Sequence, residues 1–248
     1  MGGSGFTQTY RELDAAANRL SHLLQSAGFR PGDHIAICME NHDRYLEVVW
    51  GCHYAGLVYT CASSRLTSHE LEYIINDCGA KGYITSKYKA DQAAEVIATT
   101  PDVELRLMLD GTVDGYESYE SAVAEQSPEP LDEARMAGLD MLYSSGTTGM
   151  PKGITRAFPN TPLETTPISV QPLLQLLFGM DESKRYLSPA PFYHAAPLRF
   201  CLAVHALGST IVAMEHFDAE QYLELVDRCE ITHSQVVPTM FVRMLKLP

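Results

Sequence analysis

Residues 139–155 read Leu139-Asp140-Met141-Leu142-Tyr143-Ser144-Ser145-Gly146-Thr147-Thr148-Gly149-Met150-Pro151-Lys152-Gly153-Ile154-Thr155. A short apolar run with the character of a strand ends at Tyr143 and gives way to small residues. Glycine lets backbone N–H groups turn inward in conformations closed to residues with a Cβ, and the resulting concavity binds anions. The hydroxyls of Ser144, Ser145, Thr147 and Thr148 add donors, Gly146 and Gly149 add freedom, and Lys152 adds a mobile positive charge suited to a polyphosphate. A Walker A loop is excluded, because Pro151 disfavours helix at Met150 and Gly153, not Ser or Thr, follows the lysine. The composition predicts an open, hinged loop that folds down over a nucleotide.

Outward from this loop, apolar runs alternate with helical periodicities. Towards the N-terminus, Thr9 and Glu12 form a capping-box pattern ahead of Leu13, Ala16, Ala17, Leu20, Leu23, Leu24 and Ala27, and Gly28 stops the helix. A strand is expected over 34–39, a helix over 43–55, a strand over 57–60 and a helix opened by Thr67 and Glu70. Strands at 82–85 and 104–109 and helices near 91–99 and 119–125 continue the alternation. Residues 127–137 hold prolines and acidic residues and read as a linker into the loop. Beyond the loop, strands are expected at 186–188, 210–214 and 232–237, with helices at 173–178, 198–207, from Asp218 to Cys229, and at 239–245. This pattern predicts an α/β fold of layered, mostly parallel sheets with helices on both faces. Residues 1–137 form a first α/β portion; 138–248 hold the loop and a second. Ligands of open α/β sheets bind beyond the carboxyl ends of the strands, where a loop following Tyr143 would lie.

The chain has 248 residues, 46% hydrophobic and 20% charged, which suits a soluble globular protein with a sizeable core. Its net charge of −13 excludes nucleic acid as a natural partner. An anionic substrate must then be held by local donors and a cation, which calls for magnesium. Cys38, Cys52, Cys61, Cys78, Cys201 and Cys229 form no CxxC pair and read as reduced thiols of a cytoplasmic protein. The apolar stretch 48–62 is too short to span a bilayer at about 20 residues, so no transmembrane segment is expected. His42, His53, His205 and His233 have no clustered partners and read as surface or core histidines. No metal ligands can be named from the residues.

The run Tyr143-Ser144-Ser145-Gly146-Thr147-Thr148-Gly149-Met150-Pro151-Lys152-Gly153 resembles the signature loop of the adenylate-forming superfamily: acyl-CoA synthetases, amino-acid adenylation domains and firefly-type luciferases. A second stretch, Pro191-Phe192-Tyr193-His194, is similar to the superfamily motif in which an aromatic residue and a histidine line the acyl pocket. Amino-acid adenylation domains carry an aspartate just after the aromatic. Here Tyr193, His194 and Ala195 offer no carboxylate, which favours a plain organic acid, fatty or aryl. The resemblance implies ATP held by Ser144, Ser145, Gly146, Thr147, Thr148, Gly149 and Lys152, with magnesium. It implies an acid pocket at Phe192, Tyr193 and His194, catalytic roles for Lys152 and His194, and CoA as co-substrate. His194 has two readings, assistance to the attacking thiol or gating of the pocket.

The expected reaction is attack of a carboxylate on the α-phosphorus of ATP, then transfer of the acyl group to CoA. Carboxylates are ionised at pH 7, with a pKa near ~4, so this step needs alignment and charge neutralisation more than a base. Thr155-Arg156-Ala157-Phe158 departs from the Ser-His pair common after the loop. The resemblance also implies an incomplete N-terminal domain lacking the C-terminal domain and its adenylation lysine, so turnover by this chain alone is not expected. Two alternatives stay open: a non-catalytic nucleotide-binding module, and an amino-acid-adenylating or luciferase-like relative. A homodimer also stays open.

Overall fold

The structure, a computed structural model, describes residues 1–131, 135–144 and 151–248. Two compact units emerge, one of residues 11–40 and 47–166, the other of residues 1–10, 41–46 and 167–248.

In the first unit, α1 (Tyr10–Ser26) begins directly after Thr9 and buries Leu13, Ala17, Leu20 and Leu24 on one face. Gly28 takes φ +93° and lets Phe29 N donate to Leu24 O at 3.1 Å, which closes the helix in left-handed backbone that a side chain would strain. The chain then alternates through β1 (His34–Cys38), α2 (Tyr45–Tyr54), β2 (Val58–Cys61), α3 (Ser68–Asp77) and β3 (Ala80–Ser86). It continues through α4 (Ala90–Val96), β4 (Leu105–Leu109), β5 (Glu117–Ser118), α5 (Tyr119–Ala124), β6 (Leu139–Ser144) and β7 (Lys152–Ile154). The capping box at α3 forms as its spacing predicts, with the Thr67 side chain accepting from Glu70 N and the Glu70 carboxylate accepting from Thr67 N.

These strands make one sheet in the order β5-β4-β3-β1-β2-β6-β7, parallel except for the final pair. Side chains alternate between faces along a strand. Ala36 and Cys38 join Leu71, Ile74, Ile75 and Val96 from α3 and α4 in one core cluster. Ile35 and Ile37, pointing the other way, are also fully buried, so both faces of β1 are covered. That is why the central strands read as continuous apolar runs and not as alternating ones.

In the second unit, α6 (Gln171–Phe178), β8 (Arg185–Ser188), α7 (Ala195–Ala206), β9 (Thr210–Ala213), α8 (Ala219–Arg228), β10 (His233–Ser234) and α9 (Pro238–Met244) follow in order. A three-stranded parallel sheet runs β10-β8-β9. Asp218 caps α8 as expected, its Oδ1 accepting from Gln221 N at 2.9 Å. Helices α6 and α7 each start earlier than the periodicity suggests. Pro172 and Pro197 lie in their first turns, where a missing N–H costs nothing. Strand β10 is shorter than the apolar run 232–237, since Pro238 opens α9 and its predecessor is kept out of the helix.

Candidate functional site

Strand β6 pairs with β2 in parallel from Leu139 to Met141, opposite Val58 to Thr60. Beyond Met141 it pairs with β7 alone in antiparallel register, Leu142 with Ile154, Tyr143 with Gly153 and Ser144 with Lys152. At about 3.4 Å per residue, this two-stranded ribbon carries its tip roughly 10 Å past the pairing of Met141 with Thr60 on β2. The tip lies beyond the carboxyl ends of parallel strands, where open α/β sheets take ligands. Ser144 and Lys152 are exposed and stand opposite each other at its mouth. Ser145, Gly146, Thr147, Thr148 and Gly149 lie outside the described residues.

Two contacts and one glycine shape the base of the ribbon. Tyr143 Oη donates to Asp77 Oδ2 at 2.5 Å, tying β6 to the last residue of α3. Burial, then that hydrogen bond, hold the Tyr143 phenol well above its ordinary pKa, so it stays a donor. Arg156 Nη2 lies 3.8 Å from the buried Asp140 Oδ1, which ties the exit of β7 back to β6. The residue that departs from the Ser-His pattern therefore braces the ribbon. At Gly153 a Cβ would collide with Met141 Cε and sit 3.1 Å from the Tyr143 hydroxyl, so glycine lets the strands approach there.

Beneath β6, Gly138 N donates to His53 O at 3.0 Å. His53 is 4% exposed and burial holds its pKa down at about 4, against a raising influence from Asp140. It is a neutral core histidine, as its lack of clustered partners suggests.

In the second unit, Pro189 to His194 connect β8 to α7, and His194 takes the N-cap position with extended backbone (φ −80°, ψ 145°). Phe192 is 1% exposed and packs against Tyr45 at 5.2 Å between ring centroids. Tyr193 is half-buried and its ring lies 4.3 Å from that of the exposed His194. Thus Phe192 anchors the turn while Tyr193 and His194 present one aromatic surface. A cavity of about 290 Å³ opens elsewhere in this unit, lined by Leu174, Phe178, Met180, Tyr186, Phe200 and the segment 233–236. Two polar groups in its wall are engaged within the protein: His233 Nε2 pairs with Phe178 O at 2.8 Å and Ser234 Oγ donates to Leu187 O at 2.8 Å.

Sequence reasoning missed Asp77, Tyr45 and the brace at Arg156. Asp77 and Tyr45 carry no local signal, since each meets its partner only through the tertiary fold.

Residues 2–248 match the family model described as AMP-binding enzyme, and the chain belongs to this family. It is 33% identical over 242 residues to a feruloyl-CoA synthase of Amycolatopsis sp, covering 96% of this chain and 45% of that protein. A fatty acid–[acyl-carrier-protein] ligase, ScoC of Streptomyces coeruleorubidus, is 28% identical over 244 residues, covering 98% of this chain and 46% of that one. The chain spans about half the length of the curated relatives it matches. Among solved structures, ATP-bound MatB from Rhodopseudomonas palustris superposes with TM-score 0.81 at 27% identity, covering 99% of this chain and 47% of that one. The N-terminal domain of FACL13 from Mycobacterium tuberculosis gives 0.83 at 23%, covering 99% of this chain and 60% of that one, which supports the fold alone. Among the described residues, no helix is long and apolar enough to cross a membrane.

Proposed function

We propose that the full-length protein is a carboxylic acid–CoA ligase that activates an organic acid as its acyl-AMP with ATP and then transfers the acyl group to the thiol of CoA. The observation that carries this reading is the braced ribbon in a chain of the AMP-binding family, with Ser144 and Lys152 at the mouth of a hydroxyl- and glycine-rich loop. In this reading Ser144 to Gly149 and Lys152 bind the ATP phosphates, and Lys152 neutralises charge growing on the departing pyrophosphate. Among the described residues, no group of three or more His, Cys, Asp or Glu side chains could hold a metal. In this reading magnesium accompanies the nucleotide and screens its phosphates.

Phe192, Tyr193 and His194 line the acid pocket. Tyr193, His194 and Ala195 offer no carboxylate to pair with a substrate ammonium, which favours fatty or aryl acids over amino acids. Names among the relatives span both classes, a feruloyl-CoA synthase and a fatty acid ligase. A second reading, with a carrier-protein thiol as acceptor, is favoured by the ScoC match. Full-length protein mixed with ATP, magnesium and a panel of fatty and aryl acids should release pyrophosphate with at least one of them. Adding CoA or a carrier protein then separates the acceptors. Silence across the panel overturns the proposal.

A further inference from the structure

The residues between β8 and α7 belong to no helix or strand, yet Phe192 is almost fully buried and the turn is defined. Much of what fixes it comes from a residue 151 positions earlier in the chain. Asn41 is 8% exposed and its side-chain amide makes three hydrogen bonds. Oδ1 accepts from Phe192 N at 2.8 Å, while Nδ2 donates to Ala190 O at 3.2 Å and to Met214 O at 2.9 Å.

An amide has two N–H donors and an acceptor oxygen, and here both donors and the acceptor are in use. Two of the bonds straddle Pro191, whose ring fixes φ and which offers no N–H of its own. The third reaches the first residue past β9, whose own N–H donates to Ser188 O at 3.0 Å, at the end of β8. Asn41 thus joins the carboxyl ends of β8 and β9 to the turn that follows β8. Four residues on, Tyr45 packs under Phe192. Segment 41–46 therefore supports this turn from below with one amide and one ring. Neither isostere replaces this amide: aspartate lacks the donors and leucine lacks all three groups.

We propose that Asn41 is a positioning residue, setting the orientation in which Tyr193 and His194 meet the acid substrate. The role in substrate binding rests on the reading that these two residues line the acid pocket. The hold on the turn does not.

Two variants of the full-length protein test it, Asn41→Leu, which removes all three bonds, and Asn41→Asp, which keeps the acceptor for Phe192 N–H and loses both donors. Hydrogen exchange should show the Phe192 amide opening roughly tenfold faster or more in Asn41→Leu, with smaller acceleration in Asn41→Asp, while β1 stays protected. In steady-state kinetics the KM for the acid should rise roughly tenfold in both variants, with the KM for ATP within about twofold of the parent. Unchanged exchange at Phe192 would overturn the proposal, and so would acid and ATP KM values that rise together, the mark of general destabilisation. If the parent protein turns over no acid, the ligase reading fails, and the exchange result still decides whether Asn41 holds the turn.

Discussion

The ribbon of β6 and β7 and the turn at Phe192–His194 are built on opposite principles. The ribbon is held at its base by strand pairing and by Tyr143, Asp77, Asp140 and Arg156, while the residues at its mouth, Ser144 and Lys152, are exposed. The turn is held along its length, with Phe192 buried and prolines at 189, 191 and 197 restricting the backbone. On the proposed function, exposed groups such as Ser144 and Lys152 on a firm base suit a partner that binds and leaves, as a nucleotide and its pyrophosphate do. On the same reading, a surface that recognises an acid benefits from side chains fixed before the substrate arrives.

The comparison breaks most visibly at Lys152. Lys152→Ala in the full-length protein should slow adenylation by about 10²–10³, or about 2.7–4 kcal/mol, the effect of removing a single oxyanion donor elsewhere. Its thermal midpoint should stay unchanged, because the side chain is exposed. A large loss of stability with little loss of rate would mean that the lysine belongs to the base and not to the tip.

The support under the ribbon should show itself in pH dependence. His53 is held neutral by burial, with its pKa at about 4 in the folded state against 6.5 when free. The unfolded chain binds the extra proton first, so stability is fully present above pH 6.5 and is lost as pH falls through about 4. The contribution is on the order of 3 kcal/mol. Urea unfolding between pH 7 and pH 4 should therefore show a drop that His53→Gln lessens. An equal drop in both would assign the acid sensitivity to other groups.

Smaller effects separate the fixed entry of β6 from its adjustable middle. At Gly138 an added Cβ would lie 2.7 Å from His53 Cα and 2.8 Å from Leu57 O, both backbone atoms that cannot move aside. Gly138→Ala should cost about 1–3 kcal/mol in chemical denaturation. Gly153→Ala should cost less, because its nearest neighbour is the flexible end of the Met141 side chain, which can give way. If Gly153→Ala proves the worse of the two, the ribbon is tighter than described. Smallest of all, Tyr143→Phe removes one hydrogen bond to the exposed Asp77 and should cost about 0.5–1.5 kcal/mol, seen as a small fall in melting temperature.

Much of the fold was legible because its signals are local. The apolar runs of β1, β3 and β4 are strands buried on both faces, and Thr67 with Glu70 and Asp218 cap helices where their spacing says they should. Strand β7 was not legible. Lys152, Gly153 and Ile154 are all exposed, and they form a strand only because β6 is there to pair with. Strand β5, two residues long, is similarly a product of its neighbour β4. The adjacency of β2 and β6 joins residues some eighty positions apart, Val58 with Leu139, and no local pattern encodes it. The site divides the same way: Lys152 and His194 stand in motifs, whereas Asp77 and Tyr45 act through partners that only the folded chain supplies.

On the proposed function, this chain carries the phosphate loop and acid surface of an acid-activating enzyme. The most direct test is mass-spectrometric detection of acyl-AMP after mixing full-length protein with ATP, magnesium and a matched acid in the absence of CoA. An acyl-AMP that forms with pyrophosphate in equal amount, and that falls sharply in Lys152→Ala, is the predicted result. ATP binding without acyl-AMP from any fatty, aryl or amino acid would contradict it and leave a nucleotide-binding module.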